Sequence, residues 1–176
     1  TKACNEGKTQ AEVADRTQGR RYDVYIVHAI EDREFVEEHL VQQLINEGYQ
    51  VAWHDNMFIP GNLFVDDMGK AVKTSRRMLV VATGNLERSN SGIMEIREGR
   101  QEEARVHGYR ITALVTETFP IQGELRPELF EIVHRRTHVV FTDRDYIKKI
   151  CGFLPRPAPI RMASSRNSTV GESTHL

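Results

Sequence analysis

Hydrophobic and polar positions alternate between two periods along the chain. Residues 22–28 (Tyr-Asp-Val-Tyr-Ile-Val-His) are rich in β-branched and aromatic side chains and predict a strand. Val36, Leu40, Val41, Leu44 and Ile45 then recur at helical spacing, with Asp32 placed to cap that helix and Asn46 and Gly48 to stop it. Residues 49–53 predict a second strand. Residues 63–73 predict a second helix, with Phe64, Met68, Ala71 and Val72 on one side. Residues 78–83 open on an unbroken apolar run, the pattern of a strand buried on both faces. A heavily charged helix over 90–106, a strand over 111–115, a short helix over 125–134, a strand over 138–141 and a last helix over 143–153 complete the series.

Strand and helix alternate five times, which predicts an α/β fold. The default topology is a flavodoxin-like five-stranded parallel sheet of order 2-1-3-4-5, with helices on both faces. Ligands of such sheets sit beyond the carboxyl ends of the strands. That crevice would be rimmed here by residues 28–32, residues 83–86 and the Pro60-Gly61 loop. Residues 1–20 are polar without an apolar period and read as a linker. Residues 155–176 open with three prolines in five positions and read as a disordered tail, leaving 21–154 as the domain.

Composition narrows the function classes. The chain has 176 residues, 39% apolar and 28% charged, enough for one globular domain with tails. A net charge of −1 implies no broad attraction to nucleic acid. No apolar run approaches the roughly 20 residues of a membrane span. The sequence begins at Thr1 rather than Met and reads as a piece of a longer protein. Cys4 and Cys151 lack metal spacing and fit a reducing compartment. There is no Gly-x-Gly-x-x-Gly, no phosphate loop and no nucleophile elbow, so no cofactor or metal is expected. A receiver domain would share the topology, and Glu31-Asp32 imitate its first acids. It also needs an aspartate ending strand three, where residues 80–83 read Val-Val-Ala-Thr. His28 and His54, at strand ends, read as structural residues before they read as bases.

Residues 53–61 (Trp-His-Asp-Asn-Met-Phe-Ile-Pro-Gly) are the most informative stretch. Pro60 and Gly61 suit the two central positions of a type II turn. Met57, Phe58 and Ile59 precede it, three large apolar residues on a stiffened loop. Such a loop either contacts a partner or folds its apolar side chains back onto its own domain.

These segments resemble the Toll/interleukin-1 receptor homology (TIR) family, most nearly the cytoplasmic domains of animal Toll-like receptors. Residues 22–28 resemble its first box. Residues 54–61, with Phe58-Ile59-Pro60-Gly61 intact, resemble its second box, the BB loop. Lys73-Thr74-Ser75-Arg76-Arg77 resembles its Lys-Ser-Arg entry to strand three. The resemblance covers residues 21–153. Two features depart from it. The family's Arg-Asp ahead of the loop reads Asn56-Met57. The Phe-Trp of its third box is missing, with Gly152-Phe153 the nearest substitute, which would weaken or shorten the last helix.

The resemblance implies two functions. Receptor and adaptor members are cytoplasmic scaffolds that bind other TIR domains through the BB loop, here Asp55, Asn56, Met57, Phe58, Ile59, Pro60 and Gly61, with weak self-association. Such a chain would be the cytosolic part of a membrane receptor. Other members are NAD glycohydrolases that use a glutamate on the third helix, and Glu95 matches that position. NAD would then be a substrate, not a cofactor. On a helix that also carries Arg97, Glu98, Arg100, Glu102, Glu103 and Arg105, a lone glutamate is more often solvated charge, so the scaffold reading leads. Separately, Thr174-x-Leu176 matches the carboxyl-terminal pattern bound by PDZ domains, if Leu176 is the natural end.

Overall fold

A computed structural model of the chain describes residues 15–120 and 123–157. Thr174 and Leu176 of the PDZ-type motif lie outside the described residues, as do 1–14 of the expected linker. The strands are β1 (Val24–Val27), β2 (Val51–Ala52), β3 (Arg77–Ala82), β4 (Arg110–Val115) and β5 (Val139–Val140). They form one sheet of order β2-β1-β3-β4-β5, every pair parallel, as expected.

The sheet alternates its side chains between two cores. Tyr25, Val27, Met78, Val80, Ile111 and Ala113 face one side. There they meet α4 (Phe64–Thr74), α6 (Asn90–Arg105) and α7 (Pro127–His134). Val24, Ile26, Leu79, Val81 and Leu114 face the other. There they meet α1 (Arg33–Val36), α2 (Gln42–Asn46) and α8 (Tyr146–Phe153). Two single-turn helices complete the set, α3 (His54–Met57) after β2 and α5 (Gly84–Glu87) after β3.

Three expectations are corrected. Asp32 does not cap α1 with its side chain. Its carboxylate instead accepts from Thr83 Oγ1 and Asn85 Nδ2, tying the end of β1 to the end of β3. Ile45 does not share the buried face of Val36, Leu40, Val41 and Leu44 but is exposed. A π turn at Glu37–Val41 joins α1 to α2. Ile45 comes about two and a half turns after Val36, which sets it on the other side of the helix. The last helix starts at Tyr146, three residues later than expected, but it is not loose. Ile150 and Leu154 are buried in the core, and Tyr146 Oη donates to His39 O at 2.8 Å.

Residues 15–20, read as part of the linker, are tied to the sheet's amino-terminal edge. Arg20 donates to Glu102 Oε1 at 2.6 Å and to the carbonyls of Ser75 and Val72 at 3.0 and 3.3 Å. Asp15 caps the buried Thr17 through its backbone N–H at 2.8 Å. Replacing Arg20 with Ala orphans Ser75 O, leaves Val72 O with only the bond from Ser75 N at 3.4 Å, and takes one partner from a buried carboxylate. Thermal unfolding of Arg20→Ala should show a loss of about 2 kcal/mol, and a shift under about 0.5 kcal/mol would mean that the strap is not part of the folded unit.

Candidate functional site

The loop between β2 and α4 is built by local hydrogen bonds. Asn56 Oδ1 accepts from Trp53 N and its Nδ2 donates to Val51 O, both at 2.8 Å, which closes α3 as a single turn. Asn56-Met57, the departure from the family's Arg-Asp, is therefore a capping device at its first position. Asn62 N donates to Ile59 O at 3.1 Å across Pro60 and Gly61, and Gly61 has φ +93°. This is the expected type II turn.

A residue that sequence reasoning missed holds the turn in place. Asp67, in the first turn of α4, accepts from Ile59 N with one oxygen and from Asn62 Nδ2 with the other, each at 2.9 Å. The donated Ile59 N–H, followed by the Asn62 amide, keeps the Asp67 carboxyl below its ordinary range. Asp67 is the third residue after Gly61-Asn62-Leu63-Phe64, so an acid early in the helix was the only signal available.

Aromatic rings brace the other side of the loop. His54 stacks on Phe58 at 4.8 Å and Phe58 on Phe64 at 5.1 Å. The His28 ring lies 5.9 Å from Trp53 and 6.3 Å from His54. His28 is buried, which lowers its pKa, while Nδ1–H donates to Ala29 O at 2.8 Å. That geometry describes a neutral structural imidazole.

The loop residues divide between the interior and the surface. Met57 is only 6% exposed and packs in the core, so it turns away from any partner in this conformation. Phe58 is partly buried against the same core. Ile59 is 56% exposed, beside Leu63 at 68% and Val65 at 50%. Pro60 and Gly61 are also exposed. Asp55 is held by Arg33, whose Nε lies 2.9 Å from both carboxylate oxygens, and the Arg33 hydrogen bonds lower its pKa. A shallow cleft of about 300 Å³ opens between Phe58, Pro60, Asn62 and Phe64. The apolar surface left in solvent is therefore Ile59, Leu63 and Val65 around the Pro60-Gly61 turn.

Glu95 lies elsewhere. Ser89 Oγ starts α6 by accepting from Gly92 N at 3.1 Å. The buried stripe of α6 then runs through Gly92, Ile93, Glu95, Ile96, Gly99 and Glu102. Gly99 lets the helix close on Met78, where a Cβ would collide with the thioether. Glu95 is thereby pressed against β1, 5% exposed, and accepts a hydrogen bond from Tyr25 Oη. Burial pushes its pKa up to about 7, partly opposed by the Tyr25 hydroxyl. It is neither a solvated surface charge nor open to a substrate in this conformation. Among the described residues, no cluster of His, Cys, Asp and Glu could hold a metal ion, and no helix is long and apolar enough to cross a membrane.

With this geometry in place, comparison with known proteins is informative. Protein toll of Drosophila melanogaster is 22% identical over 148 residues, covering 83% of this chain and 14% of that protein. The interleukin-1 receptor accessory protein of Mus musculus is 32% identical over 90 residues, covering 49% of this chain and 16% of that protein. The chain thus spans about a sixth or less of the length of these relatives. Among solved structures, the TIR domain of the Toll-related receptor TRR-2 from Hydra magnipapillata superposes with a TM-score of 0.59 at 22% identity, covering 75% of this chain and 97% of that one. A metazoan TIR-STING receptor from C. gigas superposes at 0.54 and 14% identity, covering 77% of this chain and 40% of that one. The TIR domain family model matches residues 24–151, most of the chain and all five strands, and the chain belongs to the TIR domain family.

Proposed function

We propose that this chain is a signalling scaffold that pairs with other TIR domains, of receptors or adaptors, through the Pro60-Gly61 loop. The observation that carries this reading is the loop itself, a rigid turn clamped by Asp67 that holds Ile59, Leu63 and Val65 in solvent. A fixed apolar patch loses little conformational freedom on docking, which favours its use as a contact. Its relatives are receptors of the Toll and interleukin-1 type, so the chain is read as the cytosolic part of such a receptor in innate-immune signalling. NAD cleavage through Glu95 has weaker support, because that carboxyl is shut into the core and bonded to Tyr25.

Pro60→His tests the contact directly. Pro60 is exposed, so the fold should survive with an unchanged melting temperature. Association with a partner TIR domain should weaken by about 2 kcal/mol, the loss of an interface hot spot. Full binding by a folded Pro60→His protein would sink the scaffold reading. Self-association in isolation should be weak, as expected of a small transient interface. Sedimentation should show monomer at about micromolar concentration, and a tight dimer there would contradict this.

Glu95 separates the two readings. Its folded pKa of about 7 stands above the unfolded 4.5. The folded state therefore keeps a proton that the unfolded state releases. The stability this provides is complete below pH 4.5 and is lost as pH rises through 7. Glu95→Gln should flatten that slope in denaturant titrations and be more stable than the parent at pH 7.5 by about 3 kcal/mol. Clustered parent protein should release no nicotinamide from NAD. Turnover that Glu95→Gln abolishes would establish the enzyme instead.

A further inference from the structure

The charges of the described domain are sorted by sheet edge. Every strand runs the same way, so each connecting helix returns the chain to one edge. The segments at the amino-terminal edge are residues 15–23, 47–50, 73–77, 102–110, 134–138 and 154–157, and they hold 11 Lys and Arg against 5 Asp and Glu. The segments at the opposite edge are residues 28–34, 53–67, 83–90, 116–120, 123–128 and 141–146, and they hold 4 Lys and Arg against 12 Asp and Glu. A net charge of −1 conceals this polarity.

Part of the sorting has a local origin, since acids suit helix N-termini and bases suit C-termini. That preference does not account for Arg16 and Arg21 ahead of β1, or for Arg110 opening β4. The acids at the basic edge are also largely neutralised from within. Glu102 and Asp23 are buried, Glu102 against Arg20 and Arg105 and Asp23 beside Arg76, while Glu103 is paired with Arg136. Arg16, Arg21, Lys73, Arg110, Arg135 and Arg156 are exposed and, among the described residues, in no ion pair. Together they leave an outward-facing cationic end.

We propose that this edge docks peripherally on an anionic lipid surface. The exposed cations come from the entries to β1, β3, β4 and β5 and from the end of α8. They thus spread across a sheet end about 20 Å wide rather than line a groove. A plane of phosphate and carboxylate headgroups matches such a spread, and each Lys or Arg near it adds attraction. Nucleic acid fits less well. The aromatic rings at this edge, Tyr22, Tyr49 and Tyr109, are buried or half-buried and cannot stack on bases. The acidic edge would be repelled by the same surface. The two ends together orient the domain, with the Pro60-Gly61 loop on the side facing away from the lipid.

The test is co-sedimentation of the 176-residue chain with vesicles of phosphatidylcholine alone or with about 30% phosphatidylserine. Binding is expected only to the anionic vesicles, falling at least tenfold as salt rises from about 50 to 300 mM. The variant Arg16→Glu/Lys73→Glu/Arg110→Glu/Arg135→Glu should lose at least tenfold in binding while keeping its circular dichroism and melting temperature. The control Arg88→Glu/Arg144→Glu, at the other edge, should bind as the parent does. Equal binding to neutral vesicles overturns the proposal. So does an absence of binding, an equal loss in the control, or stronger capture by a single-stranded RNA oligomer. If the basic-edge reversals instead abolish self-association without changing vesicle binding, the edge is a contact between copies of the chain, and the lipid proposal fails.

Discussion

Past Arg77, β3 meets no water on either face. Met78 and Val80 point into one core and Leu79 and Val81 into the other, all fully buried. Backbone polar groups in such a strand must be satisfied within the sheet, and both faces must be covered by helices. This constraint sets much of the rest. Helices must lie on both sides, each must run back against the strands, and the loops that start helices must gather at one edge. The Asp32–Thr83–Asn85 knot, the turn at Pro60 and the acid-rich helix starts share that edge for this reason.

The Pro60-Gly61 loop is rigid because its own ends and the following helix hold it. Asn56 ties its beginning to β2 and Asp67 ties its apex to α4. Stacked rings from His54 to Phe64 fill the space beneath. Met57 belongs to this support and not to the exposed surface. The loop's apolar triplet is thus divided, one residue holding the turn down and one presented above it.

Features set by local geometry were legible in the sequence. The apolar run of β3 announced a strand with two buried faces, and Pro60 with Gly61 announced the turn that forms. The parallel α/β class followed from alternation, and the order taken as its default is the one that forms. Features set by contacts between elements were not legible. The inward aim of Met57 depends on a single helical turn after a two-residue strand. The Asp67 clamp reaches back eight residues to Ile59. Glu95 looked solvated because charged residues such as Arg97, Glu98 and Arg100 surround it in the sequence, yet it shares the inner stripe with Ile96 and Gly99. Ile45 belongs to the outer face because it comes about two and a half turns after Val36, so its apolar character alone did not place it inside.

Arg20 has a mechanical consequence. Its guanidinium grips α4 through Val72 O, the start of β3 through Ser75 O and α6 through Glu102. Tension that reaches Arg20 is therefore not taken up within residues 15–20. It is delivered to the ends of two helices, and those helices carry Asp67 at one extreme and Glu95 in mid-span. The entering chain and the Pro60 turn are thus tied to opposite ends of one helix.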